Sequence, residues 1–140
     1  MPEETVDRFI LIIPTSGRFV PLVRRAISTL VFEAQVAPAK LYELQLAVTE
    51  ACNLLTHAYT DREAVKAISV SAFFDGAKAQ VTIDDGAGSA TGRKVRQKIG
   101  RRQLSLEGNL ALKTARRLCD GIALSSGITG GLRIELTKRF

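Results

Sequence analysis

The sequence has no tryptophan, one methionine, one histidine and only two cysteines among its 140 residues. Both cysteines, Cys52 and Cys119, lie in apolar helical patterns, so we predict buried free thiols in a reducing compartment. No apolar run approaches the ~20 residues of a membrane-spanning helix, and residues 1–9 lack the charged-then-apolar pattern of a secretion signal. We therefore expect a single cytoplasmic domain, residues 1–140, that is large enough to bury its own core.

The net charge of +6 is concentrated in one segment. Residues 92–102, GRKVRQKIGRR, contain six basic residues and no acidic one, so these six charges equal the whole net charge. Nucleic-acid-binding proteins usually spread basic residues over a face and add aromatic side chains for stacking. Tyr42 and Tyr59 lie far from this segment in the sequence. Nucleic-acid binding is therefore the least favoured of the functions considered.

Apolar periodicity and turn residues predict the order β-α-α-β-β-loop-α-β-β. Strands are predicted at residues 8–14, 65–74, 77–83, 121–126 and 131–138, and helices at 18–34, 38–59 and 106–119. Asp75-Gly76 predicts a hairpin. This order predicts an α+β two-layer sandwich with helices on one face of a mixed, mostly antiparallel sheet. A loop of about 20 residues before the third helix is long for a compact domain, and such loops are usually functional lids or disordered.

The predicted helix at 38–59 carries an apolar stripe and, opposite it, a polar stripe. The apolar stripe consists of Leu41, Leu44, Val48, Ala51, Leu55 and Ala58. Glu43, Glu50, Asn53 and His57 fall within roughly 80° of one another at 100° per residue. A solvated helix face explains such a stripe. The alternative is a site in which Glu50 is a general base and Asn53 is an oxygen ligand of magnesium.

Two glycine-bearing segments are further candidate sites. In VTIDDGAGSATG, residues 81–92, an aspartate at a strand tip precedes glycines that let the backbone approach a ligand. The Asp-x-Gly-x-Gly spacing selects Asp84, whereas strand alternation favours Asp85. In LEGNLALKTARRLCDG, Gly108 enters a helix whose N-terminus suits a phosphate group. An ordinary turn and an ordinary helix start explain each segment taken alone.

Taken together, these segments resemble the anti-sigma-factor serine/threonine kinases of the GHKL ATPase superfamily over nearly the whole chain. AVTEACNLLTHAY is similar to that family's N-box, and DDGAG to its first glycine box. GNLALKTARRLCDGI and TGGLRIELTKR are similar to its second glycine box and closing strands, and residues 89–104 correspond to its ATP lid. The resemblance implies a histidine-kinase-like ATPase (Bergerat) fold that binds ATP and Mg²⁺.

The resemblance also implies residue roles and partners. Glu50 would be the catalytic base, Asn53 would hold magnesium, and Asp84 or Asp85 would contact adenine. The remaining nucleotide site would comprise His57, Gly86, Gly88, Arg93, Arg96, Gly108, Asn109 and Leu110. Family members sequester a sigma factor, phosphorylate a serine or threonine of a STAS-type antagonist protein, and generally act as dimers. We therefore expect a sigma factor, such an antagonist and a second copy of the chain as partners.

The chain departs from the family pattern in its N-box. The family's asparagine follows the glutamate by four residues, whereas Asn53 follows Glu50 by three, which is about 100° of helix rotation. Matching from Glu50 puts Leu54 at the asparagine position, and matching from His57 puts Thr49 at the glutamate position. We expect a regular helix here, and therefore weak magnesium binding and slow or absent phosphoryl transfer.

A second departure lies in the second glycine box, where Asn109 and Ala111 stand in place of family glycines. The methyl group of Ala111 occupies space that the backbone needs to approach a phosphate closely. The sequence thus leaves two functions open. The chain is either a kinase-type anti-sigma factor or a non-catalytic protein-binding module of the same fold.

Overall fold

A computed structural model of the chain describes residues 6–58, 67–85, 110–126 and 132–140. The strands are β1 (Asp7–Pro14), β2 (Ala67–Phe74), β3 (Lys78–Asp84), β4 (Gly121–Ser126) and β5 (Leu132–Arg139). The helices are α1 (Val20–Val31), α2 (Pro38–Ala58) and α3 (Leu110–Leu118). All eight predicted elements are present. The ends of the predicted helix at 18–34 are short 3-10 turns that flank α1, and the predicted start of α3 at 106 lies outside the described residues.

The five strands form one sheet in the order β1-β2-β3-β5-β4. Every neighbouring pair among these described strands is antiparallel, so the predicted α+β class is confirmed, with no parallel pair among them. The predicted hairpin joins β2 to β3. Asp75 Oδ1 accepts the N–H groups of Ala77 at 2.9 Å and Lys78 at 2.7 Å. Gly76 has φ 96°, which costs a glycine little.

The hydrophobic core lies between one face of the sheet and the three helices. Alternate residues of β2, β3 and β5 point into it, because successive side chains of a strand face opposite sides. Leu44, Val48, Ala51 and Leu55 of α2 are fully buried, which confirms most of the predicted stripe. Leu41 packs against the core and is half-buried, and the Ala58 side chain lies outside the described residues. Burying one leucine side chain contributes about 1.5–3 kcal/mol.

The three helices lie side by side over the sheet. α1 packs on β1 and β2, α2 packs on β3 and β5, and α3 packs against α2 and β4. The Gln45 side-chain amide of α2 donates to Arg24 O at 2.9 Å and to Ser28 Oγ at 2.6 Å, which fastens α2 to α1. None of the helices in the described part of the chain has the length and apolar character needed to cross a bilayer.

Both cysteines carry free thiols, as predicted, but only Cys52 is buried; the prediction of burial is wrong for Cys119. Cys52 is fully buried in α2, and burial raises the pKa of its thiol to about 12. Cys119, just after α3, is half-buried, and burial is also the main cause that raises its pKa to about 11. Since the thiolate is the reactive form, the raised pKa lowers the reactivity of both thiols near neutral pH.

The hairpin carboxylate predicts a pH dependence of stability. The Asp75 carboxylate accepts hydrogen bonds from the backbone N–H groups of Ala77 and Lys78, and these bonds lower its pKa below the ordinary value of about 3.9. A carboxyl group with a lowered folded-state pKa stabilises the fold above its unfolded-state pKa and loses that contribution as pH falls through the folded-state pKa. The difference in unfolding free energy between the wild type and Asp75→Ala should therefore be constant above about pH 5 and shrink below about pH 4. Urea unfolding from pH 7 to pH 2.5 measures it, and a difference independent of pH would contradict this account of the hairpin.

Candidate functional site

A buried lysine shows which ends of the helices lie together. The Lys138 side chain, on β5, is only 8% exposed. Its ammonium group donates to Glu43 Oε2 of α2 at 2.6 Å and to the carbonyl oxygen of Leu118, the last residue of α3, at 2.5 Å. The N-terminal half of α2 and the C-terminus of α3 therefore meet over the end of β5. A cation at this position also interacts favourably with the α3 dipole.

The opposite ends of these elements form the candidate site. α2 and α3 pack along each other, and Lys138 joins the first half of one to the end of the other, so the two helices run antiparallel. The second half of α2 and the N-terminus of α3 then lie toward the other end of the sheet. There β5 begins at Leu132, beside the end of β3. The N-box residues, the strand-tip aspartates and the start of α3 thus share one end of the molecule.

Asp85 is fully buried at this end, directly after β3. Its N–H donates to Leu132 O at 3.2 Å, and its Oδ2 accepts the Leu132 N–H at 2.7 Å. A carboxylate oxygen thus takes the place of a backbone carbonyl in the last rung of the β3–β5 ladder. This rung fixes the position of the carboxylate. Residues 79, 81 and 83 of β3 are buried toward the helices, and the alternation places Asp85 on that same side.

Asp84 lies on the opposite side of the sheet. Its Oδ2 accepts from Arg133 Nε at 3.3 Å and Nη2 at 3.2 Å, and both side chains are partly exposed. The two aspartates left open by the sequence therefore differ in position. Asp85 lies on the helix-covered side with Glu50 and Asn53, whereas Asp84 forms an ion pair on the open face.

α2 is an uninterrupted α-helix through the N-box, so residue angles can be read from a regular wheel. Glu43 marks the side that faces α3, because it binds Lys138, which also binds the Leu118 carbonyl at the end of α3. Glu50 and Leu54 each lie within ~20° of Glu43, whereas Asn53 lies ~80° away from it, toward solvent. Glu50 and Asn53 are half-buried, and Leu54 packs against the core. Leu54, four residues after Glu50, therefore occupies the position on the α3 side where the family pattern has an asparagine.

Thr49 offers no substitute for the glutamate. It lies ~100° from Glu50, on the side of α2 toward α1, and its hydroxyl donates to the Gln45 carbonyl at 2.8 Å. His57 is the penultimate residue of α2, and its side chain lies outside the described residues. Residues 89–104 and the predicted site residues Gly86, Gly88, Arg93, Arg96, Gly108 and Asn109 also lie outside them.

Leu110 is the first residue of α3, and its side chain is 80% exposed. Ala111 follows it and is half-buried, while Leu112 and Ala115 anchor the helix in the core. The α3 dipole places partial positive charge at this end, which favours an anionic ligand beside it. The helix is thus oriented so that its anion-attracting end lies on the same side of the molecule as Glu50 and Asp85.

Two contacts of this region were not anticipated from the sequence. Lys138 occupies an inward-facing position of β5, after Leu132, Ile134 and Leu136. A lysine at the fourth position of an apolar alternation is the signal that could have identified it. The bond between the Asp85 carboxylate and the Leu132 N–H leaves no such signal, because it depends on a pairing of residues far apart in the sequence.

Comparison with known proteins identifies the class of domain. The family model for the histidine kinase-like ATPase domain matches residues 13–138 of the 140-residue chain. The match includes both strand-tip aspartates, the N-box helix and the whole of α3. No curated protein matches the chain.

The two aspartates should differ in their contribution to stability. Asp85→Ala removes the acceptor of the buried Leu132 N–H, which should cost about 1–3 kcal/mol of unfolding free energy. Asp84→Ala breaks a partly exposed ion pair and should cost less than about 1 kcal/mol. Chemical denaturation of the two variants measures the contrast. Equal losses, or a larger loss for Asp84→Ala, would contradict the assignment of Asp85 to the ladder rung.

Proposed function

Because the chain belongs to the histidine kinase-like ATPase family, we propose that it is an anti-sigma regulatory protein that binds ATP and magnesium. Membership of the family implies nucleotide binding. ATP as the nucleotide, a sigma factor as the sequestered partner and a STAS-type antagonist as the phosphoryl acceptor are parts of the proposal. The observation that carries the nucleotide site is the buried Asp85 carboxylate, held by the Leu132 N–H at the end shared by α2 and α3.

The described residues fit an adenine nucleotide. A carboxylate offers about four lone-pair sites, so Asp85 can accept a hydrogen bond from the exocyclic amino group of adenine in addition to its contacts within the protein. The N-terminal end of α3 supplies the favourable potential for phosphates. Asn53 offers an amide oxygen of the type that magnesium accepts, although it lies on the solvent side of Glu50. We assign adenine recognition to Asp85 rather than Asp84, which lies on the open face with Arg133.

Glu50 is the residue we assign to proton transfer. It is half-buried on the side of α2 that faces α3, and a carboxylate there can accept the proton of an incoming serine or threonine hydroxyl at about 3 Å. When bound, ATP with its magnesium ion supplies the phosphoryl group and a cation that screens its charge. The polypeptide positions the hydroxyl and the base. Lys138 joins the first half of α2 to the end of α3, so the second half of α2, with Glu50, and the start of α3 lie together at the site.

The position of Leu54 favours the prediction that phosphoryl transfer is slow. An apolar side chain that packs on the core stands nearest α3, and the amide of Asn53 is displaced toward solvent. In a regular helix the Asn53 amide lies ~60° from Glu50 and farther from α3, so the metal ligand is less well placed than the base. This arrangement keeps nucleotide binding and weakens the chemistry. A non-catalytic, nucleotide-binding module that binds proteins is the second candidate, and the same observation favours it.

Nucleotide binding predicts thermal stabilisation that depends on Asp85. At about 100 times its dissociation constant, a ligand adds ~2.7 kcal/mol, which raises the melting temperature of the wild type by several degrees. Asp85→Asn keeps an acceptor oxygen but presents an amide, so the shift should fall to near zero, while the matched Asp84→Asn variant should retain it. Differential scanning fluorimetry with ATP and magnesium makes the measurement. A folded wild type with no shift would remove the nucleotide proposal, and an unaffected Asp85→Asn would remove the role of Asp85.

The N-box geometry predicts a gain of function. Leu54→Asn puts an amide four residues after Glu50, on the side that faces α3, so it should tighten the magnesium-dependent component of ATP binding about tenfold, or ~1.4 kcal/mol. It should also raise labelled-phosphate transfer to a cognate antagonist above the slow wild-type rate. Leu46→Asn is the matched control, because Leu46 is also a half-buried leucine of α2 but lies on the solvent side of the helix.

The outcomes separate the two candidate functions. Fast transfer by the wild type that is lost in both Glu50→Ala and Asn53→Ala would show that Asn53 already serves as the metal ligand. In that case the displaced-amide account is wrong. No transfer by the wild type or by Leu54→Asn, with the antagonist complex still formed, would favour the non-catalytic module.

A further inference from the structure

The solvent side of α3 carries three basic side chains and one leucine. The exposed residues of this helix are Leu110, Lys113, Arg116 and Arg117. On a regular wheel they fall within an arc of ~120°, opposite the buried Leu112 and Ala115. The helix contains no acidic residue. These four residues therefore form a surface with charge of one sign only, which we call the basic face of α3.

The three cations of the basic face have no ion-pair partner among the described residues. The ion pairs in this part of the chain are Arg133–Asp84 and Lys138–Glu43. Asp120, the acidic residue nearest to the two arginines in the sequence, accepts the Arg139 N–H at 2.6 Å through Oδ2. Lys113 precedes one arginine by three residues and the other by four, and like charges at these spacings destabilise a helix. Folding alone therefore gives no reason for this arrangement.

The helix dipole does not account for the basic face either. Arg116 and Arg117 lie in the last turn of α3, where a cation is favourable. The Leu118 carbonyl at that end, however, already accepts a hydrogen bond from the buried Lys138 ammonium group. Lys113 lies in the middle of the helix, and the effect of the dipole falls off within the last turn. The basic face thus carries more positive charge than the end of α3 requires.

Leu110 adds an apolar contact at the other end of the basic face. Its side chain is 80% exposed at the first position of α3. Lys113 and Arg117 follow it by three and seven residues, which places them ~4.5 and ~10.5 Å farther along the helix axis. One leucine in line with two cations matches a helix that carries an apolar residue and two carboxylates along one side.

We propose that the basic face of α3 binds an acidic amphipathic helix of a partner protein. A helix that packs antiparallel on α3 places an apolar residue on Leu110. Carboxylates three and seven residues before that apolar residue then lie opposite Lys113 and Arg117. Arg116 extends the positive charge around the flank of α3 and attracts further acidic side chains. Charge complementarity of this kind fixes the orientation of the partner and excludes basic helices.

The composition of the basic face decides between the possible occupants. A second copy of the chain would bring two basic faces together, and like charges across an interface are unfavourable. Surfaces that bind single-stranded nucleic acid usually offer aromatic side chains for stacking, and none of the exposed residues of α3 is aromatic. An acidic helix supplies both the carboxylates and an apolar residue for Leu110. The inference needs neither nucleotide nor phosphoryl transfer, so it and the proposed function can fail independently.

An NMR titration of the ¹⁵N-labelled full chain tests the contact. The probe is an alanine-rich helical peptide of about 20 residues with one leucine and glutamates three and seven residues before it. The matched control peptide has lysines in place of both glutamates. The acidic peptide should shift the backbone amides of Leu110–Leu118, and its affinity should fall as salt concentration rises. The lysine peptide should bind at least about tenfold more weakly.

Charge reversal on the protein tests the pairing. The double variant Lys113→Glu, Arg117→Glu should bind the acidic peptide at least about tenfold more weakly than the wild type does. It should bind the lysine peptide instead, a gain that loss of folding cannot produce. The matched variant Arg25→Glu, Lys40→Glu changes the net charge equally on exposed positions of α1 and α2 and should keep the wild-type affinity. Circular dichroism verifies the fold of each variant.

Several results would overturn the proposal. One is the absence of shifts at the α3 amides with ~1 mM acidic peptide, a concentration that reveals even weak binding. Equal affinity for the two peptides, or an equal loss in the Arg25 and Lys40 variant, would show that the contact is not specific to the basic face. The same holds if charge reversal gains no binding of the lysine peptide. Single-stranded DNA that shifts the same amides at lower concentration than the acidic peptide would assign the face to nucleic acid.

Discussion

The ion pair between Lys138 and Glu43, with the Leu118 carbonyl as third partner, is the contact on which the site depends. The buried ammonium group of Lys138, on β5, contacts α2 through Glu43 and α3 through the Leu118 carbonyl. Removing one partner of such a group leaves a charge without compensation, so the arrangement tolerates few alternatives. Its energetic contribution matters less than its placement. Lys138 joins Glu43 to the end of α3, and α2 packs along α3, so the rest of α2 runs back along α3 toward the end of the sheet where Asp85 lies.

The site that results is made from separate elements that share one end of the molecule. Asp85 is held by the β3–β5 ladder, Glu50 by the regular pitch of α2, and the anion-attracting end of α3 by its core residues Leu112 and Ala115. Each group is fixed by rigid backbone rather than by a loop. In our proposal, nucleotide binding uses the groups that the fold fixes directly. Phosphoryl transfer would also need an amide beside Glu50 on the side of α2 that faces α3, and here Leu54 occupies that position.

Much of the fold could be predicted from the sequence, because apolar periodicity and turn residues are local signals. The hairpin at Asp75-Gly76 and the apolar stripe of α2 are examples, and both agree with the structure. The choice between Asp84 and Asp85 could not be made from the glycine spacing alone. It depends on which side of the sheet the helices cover, and on a bond to Leu132, 47 residues away. The buried Lys138 contact depends on three elements that meet only in the folded chain, so it is not visible in any single segment.

The central claim is that nucleotide binds at the end of the sheet where Asp85, Glu50 and the start of α3 lie together. Backbone amide chemical-shift mapping of the ¹⁵N-labelled chain during titration with ATP and magnesium tests it most directly. The account predicts the largest shift changes at Asp85, Leu132, Glu50 and Leu110, with none at the Asp75–Lys78 hairpin at the other end of β3. Changes concentrated at the hairpin or on the open face beside Ser71 and Thr82 would contradict the account.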